Sequence, residues 1–557
     1  MREEGSPPAA RLLAVPKELL YGSVVARSGR GLRGIASTHL GFTMAAHADL
    51  HSSTALGGGC VGAGPALAGK RDAEDADPLR MSRRPAVLFV TPEMGDFLKA
   101  GGLGEVSSSL PRQLRNRCEV RVLLPGYRQV RRRVKTIEIV REVPGTASLP
   151  PWSLGRFAMR DGLVVYVVLC DELYDRDGSP YGRYGGGDYA DNDVRFARLS
   201  LAAAEIAAGE ADPNWRPDVL HVHDWPAALA PLYLAAKPGS AKARSILTIH
   251  NLAYQGLYGA ERLGALGIPD QAFTMDGAEF HGQLSFLKSG ISFSSHITTV
   301  SETYAREITQ PAHGCGLDGL LRLKFDAGQL TGIINGMDEA MAPLPAGEVL
   351  DGRSLARWKR ENARCVRKLY GLAASKGPLF AIISRLVHQK GVDLSIEAAE
   401  TIVRQGGQLV VTGRGEPQLE AAVEHLAERH PDQVGAHIGF DDEEAKQIFA
   451  ASDFLLMPSR FEPCGLGQMY AQRAGSLPIA YRTGGLVDTI EDGRSGFLFS
   501  QLSSSSLSSA VTRAFGAFKR KADFSAMRLN ASAKRFDWSQ ATSRYAEVYA
   551  KAMQARA

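Results

Sequence analysis

Three segments combine glycines or cations at spacings that suit a phosphorylated ligand. Lys99-Ala-Gly-Gly-Leu-Gly offers backbone N–H groups ahead of a predicted helix, where an anion is favoured, and adds a mobile lysine charge. Arg385 and Lys390 lie five residues apart and supply a guanidinium fork and a point charge, which suits a diphosphate. Arg482-Thr-Gly-Gly-Leu is a second glycine-rich anion nest. The Lys99 segment has neither the dinucleotide GxGxxG nor the P-loop spacing, which argues against NAD and ATPase functions.

Three further segments carry groups that bind hydroxyls or move protons. In Glu462-Pro-Cys-Gly the carboxylate can accept from two sugar hydroxyls, while N–H groups of the next helix donate. His250 can hydrogen-bond a hydroxyl or carry a proton. His221-Val-His-Asp224 has no third partner at ligand spacing, so we expect no metal site. Each segment alone is compatible with a structural turn, and it is their number that favours a binding site.

Each of the six segments follows a short apolar run that we predict to be a buried parallel strand. The predicted strands of the first half are Ala86–Val90, Glu119–Leu124, Leu163–Leu169, Val219–Val222, Ser245–Ile249 and Ile297–Val300. Those of the second half are Leu379–Ile383, Gln408–Thr412, Ala436–Ile438, Phe454–Met457 and Leu477–Ala480. Two such series predict an α/β fold with two Rossmann-like, doubly wound parallel sheets facing each other across a cleft. Ligands of such sheets lie beyond the carboxyl ends of the strands, where the six segments fall.

The composition predicts a globular protein of two domains. A chain of 557 residues exceeds what one hydrophobic core organises. The formal net charge is only +5 and the longest basic run is Arg131–Lys135, so we expect no nucleic-acid partner. No apolar run reaches about 18 residues, so we expect no membrane span. Six cysteines without CxxC or metal spacing predict reduced thiols in an intracellular compartment.

Residues 1–80 differ in composition from the rest. They contain Gly, Ala, Ser and Pro clusters without helical or strand periodicity, which predicts disorder. Tyr21–Ala48 is rich in Arg and Ser and lacks acidic residues, as in a transit peptide, although Glu3 and Glu4 do not fit that pattern. A gene start assigned too far upstream of Met81 explains the composition equally well. We favour a dispensable tail.

Together the six segments resemble those of the bacterial glycogen synthase and plant starch synthase family of glucosyltransferases. The resemblance extends from about Pro85 to the C-terminus and is most specific in Arg460–Gly467 and Arg482–Leu486. It implies ADP-glucose as donor, a growing α-1,4-glucan as acceptor, retention of anomeric configuration and no metal or other cofactor. It also implies the GT-B arrangement, in which the active site lies between two Rossmann-like domains.

Composition, the restart of the strand pattern after Asn335–Asp338 and the resemblance together predict domain boundaries and a location. We expect a tail over residues 1–80, an acceptor-side domain over 81–336, a donor-side domain over 337–535 and a helix over 536–557 that packs back on the first domain. The wording of Thr91–Lys99 is typical of bacterial members, so we expect a cytoplasmic protein, or a plastid protein if the tail is a transit peptide.

Site residues follow from the resemblance position by position. The residues expected to act in catalysis are Lys99, Asp224, His250, Arg385, Lys390 and Glu462. The residues expected to bind the donor are Lys99, Gly102, Asn335, Arg385, Lys390, Phe440, Glu462, Cys464, Gly465, Leu466, Thr483 and Gly484. Arg385 and Lys390 are expected to neutralise the diphosphate, and the Glu462 loop to hold the glucose 3- and 4-hydroxyls. His250 and Asn335 are expected at the glucose 6-hydroxyl, and Asp224 close to the reacting centre.

This chain departs from the family pattern without losing a charged site residue. Ala100 replaces the threonine of the family motif KTGGL, and Val222 replaces the cysteine of HCHDW. Phe440 stands where the family has a base-stacking tyrosine, so the ring is kept and the hydroxyl is lost. Tyr470 stands eight residues after Glu462, where related enzymes often carry a second glutamate. A retaining glycosidase needs two carboxylates about 5–5.5 Å apart. We therefore expect Glu462 to position the sugar, with the departing phosphate acting as base on the front face.

Three other functions share parts of this pattern. A UDP-sugar transferase with a lipid or small-molecule acceptor would share Arg385, Lys390 and Glu462, but not the KAGGL and EPCGLGQMY segments together. A non-enzymatic glucan-binding scaffold predicts loss of the charged site residues, which are all present here. A phosphorylase needs a pyridoxal-phosphate lysine in the second sheet, and the sequence contains no recognisable motif for one.

Overall fold

The computed structural model describes residues 83–183, 187–238, 243–338, 342, 344, 351–439 and 441–554. The predicted tail over residues 1–80 and the expected base-stacking Phe440 lie outside the described residues. The strands are β1 Ala86–Val90, β2 Glu119–Pro125, β3 Glu138–Val143, β4 Trp152–Ala158, β5 Val164–Leu169, β6 Val219–His223, β7 Arg244–Ile249, β8 Leu257–Gly259, β9 Glu279–Phe280, β10 Gln283–Ser285, β11 His296–Thr299, β12 Leu330–Gly332, β13 Leu379–Ile383, β14 Gln408–Gly413, β15 Val434–Ile438, β16 Phe454–Met457, β17 Leu477–Tyr481 and β18 Phe497–Phe499. The α-helices are α1 Gly102–Leu114, α2 Arg128–Arg133, α3 Asp171–Tyr174, α4 Asn192–Ala207, α5 Ala230–Ala236, α6 Phe286–Phe293, α7 Glu302–Glu307, α8 Asp318–Asp326, α9 Gly352–Leu369, α10 Val392–Arg404, α11 Pro417–Arg429, α12 Asp442–Ala451, α13 Gly467–Arg473, α14 Gly484–Thr489, α15 Ser504–Lys519, α16 Lys521–Ser532 and α17 Trp538–Gln554.

The first sheet is built around β1 and β6, in which every residue is buried. Its strands lie in the order β12-β11-β7-β6-β1-β2-β5-β4-β3, and those from β12 to β5 run parallel. Both faces of this sheet are covered by other parts of the domain. Its parallel strands are therefore continuous apolar runs such as AVLFV. Since β1, β6 and β7 are neighbours, the loops that follow them, which carry Glu93, Asp224 and His250, lie side by side.

The second sheet has six parallel strands in the order β15-β14-β13-β16-β17-β18. Its neighbouring strands β13, β16 and β17 bring the loops 384–391, 458–466 and 482–483 to one edge. The two parallel sheets confirm the predicted α/β fold with two Rossmann-like domains.

The sequence pattern missed the antiparallel part of the molecule. The strands β3 and β4 extend the first sheet by antiparallel pairing next to β5, and β8, β9 and β10 form a separate antiparallel sheet. The edge strand β3 (EIVREV) has no fully buried residue. A strand in this position lacks the continuous apolar run that identified the parallel strands, because one edge and much of its surface face solvent.

The chain crosses between the two domains twice, at adjacent points. The N–H of Met337 donates to the carbonyl of Phe536 (2.7 Å) and so joins the outgoing and returning segments. A Cβ on Gly336 would lie 2.6 Å from the Trp538 ring, so this close approach requires glycine. After the second crossing α17 packs into the core of the first domain, where the Tyr549 hydroxyl bonds His221 Nδ1 (2.9 Å).

Two further sequence predictions were reduced cysteine thiols and the absence of a membrane-spanning helix. The five cysteines within the described part of the chain are free thiols. No helix within the described ranges is long and apolar enough to cross a membrane.

Candidate active site

The second-domain half of the site centres on the Glu462 carboxylate. Glu462 is only 5% exposed, and its Oε2 accepts from Lys390 Nζ (2.6 Å) and from the Ser459 hydroxyl (2.9 Å). Arg460 makes a two-pronged ion pair with Asp393 at the start of α10 (2.8 and 2.7 Å), which fixes the loop from outside. These contacts hold a buried negative charge in one orientation beside a cation.

Glycines let the loops of this half pack on each other. Gly391 has φ +66°, and a Cβ there would lie 2.1 Å from the Pro458 carbonyl. Cβ atoms on Gly484 and Gly485 would lie 2.0 and 2.1 Å from the carbonyls of Glu462 and Cys464. The two glycines after β17 are therefore needed first of all for backbone contact with the Glu462 loop. The Gly485 N–H donates to the Glu462 carbonyl (3.0 Å), which completes that contact.

Asn335 and Cys464 meet beneath this loop. Both are buried, and the Asn335 amide hydrogen-bonds the Cys464 sulfur. Burial raises the pKa of the Cys464 thiol to about 12, so it is an uncharged packing group at neutral pH. The Asn335 Oδ1 is buried and has no hydrogen-bond partner among the described residues. A buried acceptor of this kind suits a ligand hydroxyl.

The first-domain half is organised by Asp224. Its backbone has φ +55° and ψ −178°, a strained conformation for a residue with a side chain. Its Oδ1 accepts from the backbone N–H groups of His250 (2.7 Å) and Asn251 (3.3 Å), and its own N–H donates to the Thr248 carbonyl (2.9 Å). Asp224 thus ties the loop after β6 to the loop after β7. Burial raises its pKa to about 7, against the opposing effect of the two N–H donors.

The histidines of this half are neutral and connected. His250 Nε2 and His223 Nδ1 lie 2.9 Å apart, and His221 Nε2 bonds the Thr248 hydroxyl (2.7 Å). Burial lowers the pKa of His250 and of His221 to about 3. Val222, between His221 and His223, packs in the core. Within the described ranges no group of three His, Cys, Asp or Glu side chains is placed to hold a metal ion.

Glu93, in the loop after β1, was not predicted as a site residue. Its carboxylate accepts from the N–H of Ala100 (2.5 Å) and Gly101 (3.4 Å) and from the Tyr181 hydroxyl (3.1 Å). Burial raises its pKa to about 6, against these donors and the charge of Arg385 in the other domain. The sequence signal that could have found Glu93 is its position in a loop after a buried strand, a position that Asp224 shares.

Lys99 and the α1 helix face the second domain across the cleft. Lys99 Nζ lies 3.0 and 3.2 Å from the two carboxylate oxygens of Asp442, 343 positions away at the start of α12. The Tyr470 hydroxyl donates to the Glu105 carboxylate of α1 and accepts from the Asp338 N–H (3.3 Å). Tyr470, found where a second glutamate was considered, therefore joins the two domains. Neither Asp442 nor Glu105 was predicted, because their partners lie on the other domain.

The remaining predicted donor residues fall into two groups. Cβ atoms on Gly101 and Gly102 would meet no atom within 4 Å, so the α1 start borders open space. Gly465 has φ +73° in the Glu462 loop, and Leu466 directly precedes α13. The Thr483 hydroxyl and Gly484 N–H contact the Glu307 carboxylate of the first domain (3.0–3.3 Å), so here the predicted anion nest holds a protein carboxylate.

Two facing Rossmann-like domains with cations and a buried carboxylate between them have the arrangement of a GT-B glycosyltransferase. Residues 86–323 match the family model described as the starch synthase catalytic domain, and residues 371–525 match the model of glycosyl transferases group 1.

Curated relatives match most of the chain. The glycogen synthase of Pseudomonas syringae pv. syringae (strain B728a) is 53% identical over 468 residues, covering 84% of this chain and 96% of the relative. Glycogen synthase 1 of Bradyrhizobium diazoefficiens is 54% identical over 460 residues, covering 82% of this chain and 99% of the relative. The chain belongs to the glycogen synthase and starch synthase family, and it is a glucosyltransferase.

Solved structures agree with this assignment. The catalytic domain of starch synthase IV from Arabidopsis thaliana, bound to ADP and acarbose, has a TM-score of 0.75 and 30% identity, covering 85% of this chain and all of that one. Sucrose-phosphate synthase from Thermosynechococcus elongatus shares only the fold, since its sequence is 14% identical. Its TM-score is 0.54, and the match covers 85% of this chain and all of that one.

Proposed function

We propose that this protein transfers glucose from ADP-glucose to the non-reducing end of an α-1,4-glucan with retention of configuration. The observation that carries the proposal is the pairing of Lys390 with the buried Glu462, opposite the neutral His250 loop of the first domain. Family membership supports the glucan product, and the ADP bound to the Arabidopsis relative supports the adenine nucleotide.

On the donor side, Arg385 and Lys390 meet the charge of the diphosphate. Lys390 already lies beside a buried carboxylate, and Arg385 is close enough to affect the pKa of Glu93 across the cleft. Glu462 and the N–H groups from Cys464 to Leu466 hold the glucose 3- and 4-hydroxyls. Lys99, with the α1 start, adds positive potential from the first domain. With two or three cations available, we propose that the reaction needs no metal ion.

Around the transferred glucose, neutral groups bind the hydroxyls that Glu462 does not reach. His250 stays uncharged because burial lowers its pKa to about 3, so one ring nitrogen can donate and the other accept. The unpartnered Asn335 Oδ1 provides an acceptor for the glucose 6-hydroxyl. Asp224 fixes the His250 loop and lies near the reacting centre.

The chemical step exchanges one bond at glucose C1. The bond from C1 to the β-phosphate oxygen breaks, the acceptor 4-hydroxyl oxygen bonds C1 on the same face, and its proton passes to the departing phosphate of ADP. Lys390 and Ser459 hold Glu462 Oε2, so this carboxylate positions the sugar and does not attack. Preorganised cations at the phosphate stabilise the developing charge, and losing one such donor typically costs about 2.7–4 kcal/mol. Mass-spectrometric detection of a glucosyl adduct on Glu462 would contradict this step.

The test is incorporation of radiolabelled glucose into glycogen by the full chain. We expect incorporation from ADP-glucose well above that from UDP-glucose, release of the label by an α-1,4-specific amylase, and no loss of activity in EDTA. Glu462→Gln serves as the inactive control. Preference for UDP-glucose would favour the rival transferase, and absence of incorporation from either donor would refute the proposal.

We also propose a cytoplasmic location, with a plastid as the alternative if residues 1–80 act as a transit peptide. Its support is the similarity to bacterial glycogen synthases. Fractionation of the native host, followed by detection of the chain in the soluble or organelle fraction, distinguishes the two.

A further inference from the structure

The short helix α7 of the first domain contacts both halves of the active site. From the geometry of these contacts we infer that α7, through Ser301 and Glu307, is the positioning element that sets the Glu462 loop of the second domain against the His250 loop of the first. This inference rests on the proposed function and adds positioning residues to it.

Glu307 contacts the second domain through its carboxylate. Its two oxygens accept from the Gly484 N–H (3.0 and 3.1 Å) and from the Thr483 hydroxyl (3.2 and 3.3 Å). Charge-assisted hydrogen bonds of this kind are stronger and more directional than neutral ones. Glu307 therefore fixes the backbone at the start of α14.

The backbone held by Glu307 in turn holds the Glu462 loop. The Gly485 N–H donates to the Glu462 carbonyl (3.0 Å), and neither Gly484 nor Gly485 has room for a Cβ against that loop. A shift of this nest must therefore move Glu462, because the two backbones are in van der Waals contact. Glu307 acts on the sugar-binding carboxylate through one intervening segment.

Ser301 provides a second and more direct contact. Its fully buried hydroxyl donates to the Pro463 carbonyl (2.5 Å), the residue after Glu462, and accepts from the Tyr304 N–H at the start of α7 (3.2 Å). Consecutive carbonyls of the Glu462 loop are thus held by Gly485 and by Ser301.

The other end of the connection is the His250 loop. The Tyr304 hydroxyl of α7 accepts from the N–H of Leu252, two residues after His250 (3.1 Å). One helical segment therefore bonds the loop that presents the histidine and the loop that presents the glutamate. A misplacement of about 1 Å between reacting groups can lower a rate by about 100-fold, so this distance matters for transfer.

The test compares variants on the same interface. Glu307→Ala and Ser301→Ala remove the contacts that reach the Glu462 loop. Thr303→Ala is the matched control, since the Thr303 hydroxyl bonds Asp488 at the far end of α14 and the Thr303 N–H keeps its own bond to that carboxylate (2.9 Å). For each full-length variant we would measure kcat and KM for ADP-glucose with glycogen, the melting temperature, and the ratio of ADP-glucose hydrolysis to transfer.

We expect Glu307→Ala to lower kcat by about 10- to 100-fold, to change KM less than kcat, and to raise the ratio of hydrolysis to transfer. Glu307→Gln, which keeps one acceptor oxygen, should recover part of kcat. If Glu307→Ala melts too early for assay, Glu307→Gln and Ser301→Ala carry the test.

The inference would be overturned if the Glu307 and Ser301 variants had the same kcat and the same ratio of hydrolysis to transfer as the Thr303 variant. The interface would then be only structural. A wild-type protein without ADP-glucose activity would instead refute the proposed function, so the two failures are distinguishable.

Discussion

Asp224 of the first domain and Asp393 of the second have pKa values shifted in opposite directions, although burial opposes ionisation at both. At Asp393 the hydrogen bond and charge of Arg460 outweigh burial and hold the pKa below its ordinary value. Among the described residues no cation pairs with Asp224, whose carboxylate accepts from backbone N–H groups alone, and burial raises its pKa to about 7. The difference is the presence of a paired cation.

The same contrast holds across the site. The second-domain half consists of ion pairs such as Lys390 with Glu462, whereas the first-domain half consists of buried histidines and carboxylic acids that burial drives towards neutrality. Under the proposed function, the cations of the second domain meet the diphosphate, and the neutral groups of the first domain orient hydroxyls. The comparison teaches that the two domains bring different kinds of groups to the cleft.

Lys390→Ala removes a charge from the charged half and should have the largest effect. We expect kcat with ADP-glucose to fall by about 10²–10³-fold, because one charge-stabilising donor at the leaving group is lost. Lys446→Ala, on α12 of the same domain and paired with Glu443, is the matched control. Steady-state kinetics with glycogen as acceptor measures both. A fall of less than about fivefold would break the contrast between the halves.

His250→Ala tests the neutral half. We expect kcat/KM to fall by about 10- to 100-fold, since a buried hydrogen bond worth about 1–3 kcal/mol is lost. The wild-type kcat should show no titration of His250 between pH 5 and 8, because burial lowers its pKa to about 3. His250→Gln, which can still donate a hydrogen bond, should retain more activity than alanine. A wild-type titration near pH 6.5 that His250→Gln abolishes would show that the histidine is charged and reverse this assignment.

Asp442→Asn tests the contact that joins the halves. Lys99 and Asp442 are 36% and 43% exposed, so their ion pair is screened and contributes roughly 0.2–1 kcal/mol. Lys99 must leave Asp442 to bind a diphosphate, so the variant should lower KM for ADP-glucose by about two- to fivefold with kcat unchanged. The decrease should shrink at high salt. A raised KM would mean instead that Asp442 holds Lys99 in its binding position.

Asp224→Asn tests the neutral half through the pH dependence of stability. The pKa of Asp224 rises from 3.8 to about 7 on folding, so between these pH values the native state binds more protons than the unfolded state. Stability of the wild type therefore falls as pH rises from about 4 to 7 and levels off above. The melting temperature of Asp224→Asn minus that of wild type should increase over the same window, by about 2–4 °C per kcal/mol. A difference in melting temperature that stays constant with pH would contradict the raised pKa of Asp224 and, with it, the neutrality of the first-domain half.

Local sequence pattern predicted most of the parallel strands and the loops that follow them, but neither the antiparallel strands nor the contacts between domains. Ala86–Val90, Leu379–Ile383 and Phe454–Met457 form strands with the predicted bounds, because a strand buried on both faces needs a continuous apolar run. Parallel topology then placed the post-strand loops, including those of Asp224 and Glu462, at the sheet edges.

The residues that were missed have partners far along the chain. Asp442 meets Lys99 across 343 positions, and Glu307 meets Gly484 across 177. No local spacing encodes such pairs, because they depend on how two separate sheets face each other. Glu93 was missed for another reason. It lies in a post-strand loop as Asp224 does, but it has no neighbouring histidine, and a lone carboxylate in a loop is a weak sequence signal.

The return of the C-terminal helix α17 to the first domain has a consequence for synthesis. The core around His221 includes Tyr545 and Tyr549, which leave the ribosome roughly 200 residues after the chain first leaves that domain at Met337. At about 5–20 residues per second, the first domain waits roughly 10 to 40 s for its last helix. During that interval the apolar face that α17 covers is open to water and to chaperones. A nascent chain that stops before Trp538 would carry the predicted donor-binding loops but an unfinished acceptor domain.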